Sequence, residues 1–238
     1  MTTTKPVPYE VDGESFEGLW VGDEARGGAQ PTVLVYHDWS GRTDPNVGFA
    51  RRLAAEGWNA IAMDLYGKGR TGETPEQNQA LMNPLIGDRG KLRARLLASV
   101  QAAAALPEVD SAKVAAIGFC FGGLCVLDLA RAGAPLTGVA SFHGLFNPPG
   151  VPSVTPIRPK VIAFHGWADP MAPPESVVAL GEELTRDGAD WQLVGFGGAL
   201  HAFMNEGADM PAMGVKYDAK VAARAWDGLH RFLAEAMG

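Results

Sequence analysis

The chain has 238 residues, 47% of them hydrophobic, and a formal net charge of −7 at neutral pH. That is enough apolar material for a sizeable core, and no linker divides it, so a single domain over 1–238 is expected. The acidic balance contains no Lys/Arg cluster, no run reaches membrane-spanning length, and Met1 to Pro6 lacks an apolar export core. A cytoplasmic protein with no nucleic-acid or membrane partner is therefore expected, as a monomer or small homo-oligomer.

In chain order, Glu14 to Val21 alternates between turn signals and suits an antiparallel strand. Thr32 to Tyr36 is a short apolar run of the kind buried on both faces, and it ends in His37-Asp38-Trp39-Ser40-Gly41. Asn46 to Trp58 has helical periodicity and Asn59 to Leu65 reads as the next strand, completing a βαβ unit. A Gly-rich loop over 66–74 carries Lys68 and Arg70, and a weak helical stretch from Pro75 to Leu85 is interrupted by Pro84 and Gly87. Asp88 to Leu106 is an amphipathic helix with Leu92, Leu96, Val100 and Ala103 at helical spacing, on which Arg93 and Arg95 are read as a solvated face. Lys113 to Phe119, Leu136 to Phe142, Lys160 to Gly166 and Trp191 to Phe196 are further strands, and Phe121 to Ala132, Pro173 to Asp187 and Lys216 to Ala236 are helices. This alternation predicts an α/β protein with a mostly parallel sheet covered by helices on both faces, and its sites lie beyond the C-terminal strand ends.

The stretch that carries chemistry is Gly118-Phe119-Cys120-Phe121-Gly122. Small residues at a strand-to-helix turn push the central side chain outward and aim the Phe121 N–H and the first turn of the helix at a developing oxyanion. Alone, the same residues fit an inert thiol in a tight strand–helix contact. What favours chemistry is that an acid and a base follow at later strand ends, giving the order Cys120, Asp169, His201. His143 ends the strand beside that of Cys120 and is a candidate pocket residue, as are Trp167 and Phe203, which flank the acid and the base. His37 and His230 are read as structural, and His165, within its strand, as a satisfied histidine. Met204, Met210 and Met213 suggest an adaptable loop over the site. Two cysteines five positions apart, with no Cys-x-x-Cys or His-Glu-x-x-His, point to neither a disulfide framework nor a metal, and a redox pair of Cys120 with Cys125 has poor geometry.

With His37-Asp38-Trp39-Ser40-Gly41, Asp64-Leu65-Tyr66-Gly67, the cysteine turn, His165-Gly166 with Asp169, and Gly198-Ala199-Leu200-His201-Ala202-Phe203, nearly the whole chain resembles the dienelactone hydrolase family of α/β-hydrolases. The resemblance implies a hydrolase of small ester or lactone substrates that works without cofactor through a thioacyl intermediate. It implies Cys120, Asp169 and His201 as catalytic residues and the Trp39 N–H as second oxyanion donor. It also places an acid that activates the resting thiol at Asp38, which is one methylene shorter than the family's usual glutamate and could instead cap its own loop. Relatives bring an arginine for a substrate carboxylate just after the catalytic histidine, where this chain has Asn205; Arg70 and Arg89 are the other candidates, each otherwise a surface residue. The alternatives are an acyltransferase or another carbon-bond hydrolase on the same triad, and a non-catalytic scaffold for a small carbonyl ligand.

Overall fold

The computed structural model describes residues 2–238; Met1, the first residue of the stretch read for export, lies outside the described residues. Eight strands form one sheet in the order β1-β2-β4-β3-β5-β6-β7-β8. They are β1 (Thr3–Val11), β2 (Glu14–Gly22), β3 (Gln30–Tyr36), β4 (Asn59–Ala62), β5 (Val109–Phe119), β6 (Gly138–Phe142), β7 (Lys160–Gly166) and β8 (Trp191–Phe196). The pairs β1–β2 and β2–β4 are antiparallel and every other neighbour is parallel.

The parallel strands carry continuous apolar runs because helices cover both of their faces. On one side α1 (Asp44–Ala55) and α6 (Ala219–Met237) pack with Phe119, Phe142 and Phe164, whose rings stack across β5, β6 and β7. On the other side α2 (Pro75–Gly87), α3 (Arg89–Ala104), α4 (Phe121–Arg131) and α5 (Pro174–Arg186) close over Leu34, Ala116 and Val139. A small pair, β9 (Asp209–Met210) and β10 (Val215–Lys216), is antiparallel and lies near the C-terminal strand ends, where His201 bridges to Val215. Among the described residues no helix is long and apolar enough to cross a membrane.

Several elements differ from the sequence expectation for identifiable reasons. β1 was not anticipated: Pro6 and Pro8 argue against a strand, but it is the sheet's outermost strand, where a missing N–H is tolerated, and only Val7 and Tyr9 are buried. β4 stops at Ala62 rather than Leu65, because Asp64 draws the following backbone into a turn. α2 runs through Pro84 to Gly87, and α6 begins at Ala219, capped by Asp218, whose carboxylate accepts from Val221 N–H at 3.0 Å. Arg95 is no solvated residue: it is 5% exposed, donates to the Leu65 carbonyl at 2.7 Å and to Glu14 at 2.8 Å, and stacks on Phe16. Arg89, also read as a surface residue, is buried in a bidentate bond to Asp128, both contacts 2.7 Å.

Candidate active site

β5 ends at Phe119 and α4 begins at Phe121, so Cys120 is the whole of the turn between them. Its φ of 55° and ψ of −113° are strained for a residue with a side chain, and the tight turn persists because its neighbours leave no alternative. A Cβ on Gly122 would run into the Tyr36 carbonyl, so glycine there lets the first turn of α4 rest on the end of β3. The Cys120 N–H is held by the Phe142 carbonyl at 3.0 Å and by His143 Nδ1 at 3.2 Å. The half-buried thiol thus stands at the N-terminus of α4 beside the positive end of the helix dipole.

Asp169 follows β7 and His201 follows β8, and the structure brings them together: His201 Nδ1–H donates to Asp169 Oδ2 at 2.7 Å. The other carboxylate oxygen accepts from Met171 N–H at 2.8 Å, which fixes the carboxylate plane. Both residues are only 3% exposed. Burial lowers the His201 pKa, but the charges of Cys120 and Asp169 outweigh it, so that His201 is pushed up to about 10. No aligned hydrogen bond reaches His201 Nε2, yet Cys120 lies close enough that both its charge and a side-chain hydrogen-bond interaction help to raise the histidine pKa. Catalytic hydrogen bonds are often loose until substrate arrives.

The N–H groups of Trp39 and Phe121 donate to no acceptor among the described residues. Asp38 is occupied within its own loop: Oδ1 accepts from Ser40 N–H at 2.8 Å, from the Ser40 hydroxyl and from Asn46 Nδ2 at 3.0 Å, and none of its bonds goes to Cys120. His143 is 2% exposed and packs edge-on to His201, with ring centroids 5.2 Å apart, and burial holds its pKa well below the ordinary histidine value. Phe203 is fully buried against His143 and Phe196, which makes it core rather than pocket wall, whereas Trp167 is half exposed. Asn205 Oδ1 accepts from Gly207 N–H at 2.9 Å and closes its own turn. His165 is buried, and its Nδ1 has no protein partner among the described residues. Cys125 is free and fully buried within α4, and burial pushes its thiol pKa up. Met204 is buried in the core while Met210 and Met213 are exposed. Sequence reasoning missed Tyr66, whose hydroxyl donates to the Trp39 carbonyl at 3.0 Å.

A strained strand-to-helix turn at the end of a central parallel strand, with an aspartate and a histidine after later strands, is the arrangement of an α/β-hydrolase. The chain belongs to the dienelactone hydrolase family, whose model matches residues 16–237. It is 30% identical over 228 residues to a putative carboxymethylenebutenolidase of Aquifex aeolicus, covering 93% of this chain and 94% of that one. The crystal structure of a dienelactone hydrolase-like promiscuous phosphotriesterase from metagenomic libraries superposes with a TM-score of 0.90 at 35% identity, covering 100% of this chain and 99% of that one. A structure described as m3DLH gives 0.91 at 36% identity with the same coverage. The protein is a hydrolase acting on carboxylic ester or lactone bonds.

Proposed function

We propose that the protein hydrolyses small, neutral esters and lactones with Cys120 as nucleophile, His201 as acid and base, and Asp169 as the group that fixes the His201 tautomer. The Cys120 thiolate attacks the carbonyl carbon, and the carbonyl π pair moves onto oxygen, where the Trp39 and Phe121 N–H groups receive it. Collapse breaks the C–O bond, and the imidazolium gives its Nε2 proton to the leaving alkoxide, leaving a thioester. His201 then takes a proton from water as that water attacks the thioester carbon, and the second collapse returns the thiolate and the carboxylic acid. The observation that carries this reading is the 2.7 Å bond from His201 Nδ1–H to Asp169 combined with the interaction of His201 with Cys120. A panel of p-nitrophenyl esters, simple lactones and, because a solved neighbour is named a phosphotriesterase, paraoxon-type phosphotriesters tests it. Cys120→Ala is expected to abolish turnover, and a rapid quench of the wild type is expected to show the acyl mass on the peptide containing Cys120. Unchanged turnover in Cys120→Ala would sink the proposal.

The charge preference follows from where the arginines are. Arg89 is neutralised by Asp128, and Arg70 donates to the Tyr66 carbonyl and faces Glu14 at 3.7 Å. Arg89 is thus committed in a buried pair, Arg70 is engaged at the surface, and Asn205 carries no charge. A charge-assisted contact of that kind contributes roughly 1.5–3 kcal/mol, or about tenfold to a hundredfold in affinity. The expected result is a kcat/KM for a neutral lactone at least equal to that of its carboxylated analogue, with Asn205→Arg raising the anion's value. A strong, salt-sensitive preference of the wild type for the anion would contradict it.

A further inference from the structure

The N–H of Trp39 belongs to the peptide whose carbonyl is that of Asp38, and a trans peptide is planar, so whatever grips the Asp38 oxygen sets the direction of the Trp39 N–H. That oxygen accepts from His37 Nδ1–H at 2.6 Å and, at the longer distance of 3.4 Å, from the Gly41 N–H, so the histidine makes the tighter of its two contacts. The histidine has no freedom to reverse the bond. Its Nε2 accepts from Leu65 N–H at 3.2 Å, which leaves the single ring proton on Nδ1, and burial lowers its pKa and keeps the ring neutral. The next peptide is gripped too, because the Tyr66 hydroxyl donates to the Trp39 carbonyl at 3.0 Å. Trp39 is therefore held at the carbonyls on both sides of its Cα by two rings that are each 1% exposed.

The two rings belong to one assembly. They lie 4.7 Å apart, and Tyr66 stacks at 6.1 Å and 19° on Phe121, the residue that carries the other free N–H. The turn that presents Tyr66 is itself fixed by Asp64, a fully buried carboxylate that accepts from the N–H groups of Tyr66, Gly67, Gly69 and Glu17 at 3.0 to 3.2 Å. Gly41, at φ 93°, completes the fit: a Cβ there would lie 2.6 Å from the Arg70 carbonyl and 3.2 Å from the Tyr66 ring. Glycine is what lets the loop carrying Trp39 lie against the Tyr66 turn.

We propose that His37 and Tyr66 are positioning residues that aim the Trp39 N–H at the substrate oxyanion, one through each flanking carbonyl. This rests on the reading of Trp39 and Phe121 as the oxyanion donors. Neither ring touches the reacting atoms, so their loss lowers kcat rather than substrate binding. The effect should be smaller than the about 10²–10³-fold that follows removal of a whole oxyanion donor, because the N–H remains but wanders.

The test uses Tyr66→Phe, His37→Gln and His37→Asn in the full chain. In place of the ring, Asn puts its amide N–H near the Nδ1 position and keeps the donor to the Asp38 carbonyl, whereas Gln mimics the Nε2 side and loses it. Tyr66→Phe and His37→Gln are expected to lower kcat about tenfold or more with KM within about twofold, and His37→Asn to restore most of it. The readout that a merely structural role would not move is the ratio of kcat/KM for an ester and its thionoester. Sulfur is a weak acceptor, so a sound oxyanion hole favours the oxygen ester, and the ratio should shrink in Tyr66→Phe and His37→Gln. Iodoacetamide alkylation of Cys120 should keep its wild-type rate, which separates this inference from the nucleophile reading. If Cys120→Ala is inactive while Tyr66→Phe keeps the wild-type kcat and ester-to-thionoester ratio, the clamp is overturned and the nucleophile reading stands. If His37→Gln does not fold, Tyr66→Phe alone decides.

Discussion

Asp169→Asn is expected to lower kcat steeply, approaching the ~10⁴-fold known for the acid of a serine triad, while leaving KM and the fold nearly unchanged. The carboxylate accepts from His201 Nδ1–H at 2.7 Å and so leaves Nε2 facing the thiol. An amide can turn its NH₂ to that nitrogen, which puts the ring proton on the wrong side. The same substitution should move the pH profile. Burial depresses the His201 pKa, the Cys120 and Asp169 charges raise it, and the balance is about 10. Transfer of a proton to the leaving alkoxide requires the imidazolium, so kcat/KM should fall on the alkaline side as pH passes about 10. Removing one of the two negative charges moves that limb toward neutrality. The sign for stability is the same: a histidine whose folded pKa lies above its unfolded value of about 6.5 adds stability that is complete below about pH 6.5 and is lost as pH rises through the folded value. A pH series of kcat/KM on both proteins checks it; an Asp169→Asn enzyme within a few-fold of wild type, with an unmoved alkaline limb, would remove Asp169 from the mechanism.

The positions of Cys120, Asp169 and His201 are legible in the sequence because each follows a strand of the sheet, and a parallel sheet sends its strand ends to one side. The hydrogen bonds that organise the surroundings were not. His37 and Tyr66 look like ordinary aromatic loop residues, and their partners, Leu65 and Trp39, are 28 and 27 positions away, a separation that no local pattern reports. Arg95 was misread for a different reason. It follows Leu92 by three positions and so falls on the buried stripe with Leu96 and Ser99, although its charge suggests solvent. Spacing was the better guide: the guanidinium stacks on Phe16 and caps the Leu65 carbonyl, so the stripe is buried along its length. Asp38 shows the limit of motif matching, since its carboxylate is committed to Ser40 and Asn46 by contacts specific to this loop.

Asp128→Ala is expected to cost about 3–5 kcal/mol of stability. Asp128 is 4% exposed on α4 and is shared by two guanidinium groups: Arg89 of α3 holds it bidentately, and Arg131 donates at 3.1 Å. Arg131 keeps a second partner, Glu183 of α5, through two contacts of 2.7 Å. Among the described residues Arg89 then keeps a 3.3 Å bond to the Asn147 carbonyl, so loss of the aspartate leaves a largely buried cation without its counter-charge. For a domain of this size each kcal/mol moves the midpoint by about 2–4 °C, so Tm should drop on the order of 10 °C. The network joins three helices on the face behind the Cys120 turn, and Cys120 caps the N-terminus of α4, so residual activity should fade at lower temperature in the variant. Charge burial rather than lost packing predicts a specific rescue. Removing both charges in Arg89→Met/Asp128→Leu should recover most of the loss, because an apolar pair needs no compensation. A Tm for Asp128→Ala within 2 °C of wild type, or a double variant no better than the single, would show that solvent reaches this site and that the ion pairs contribute little.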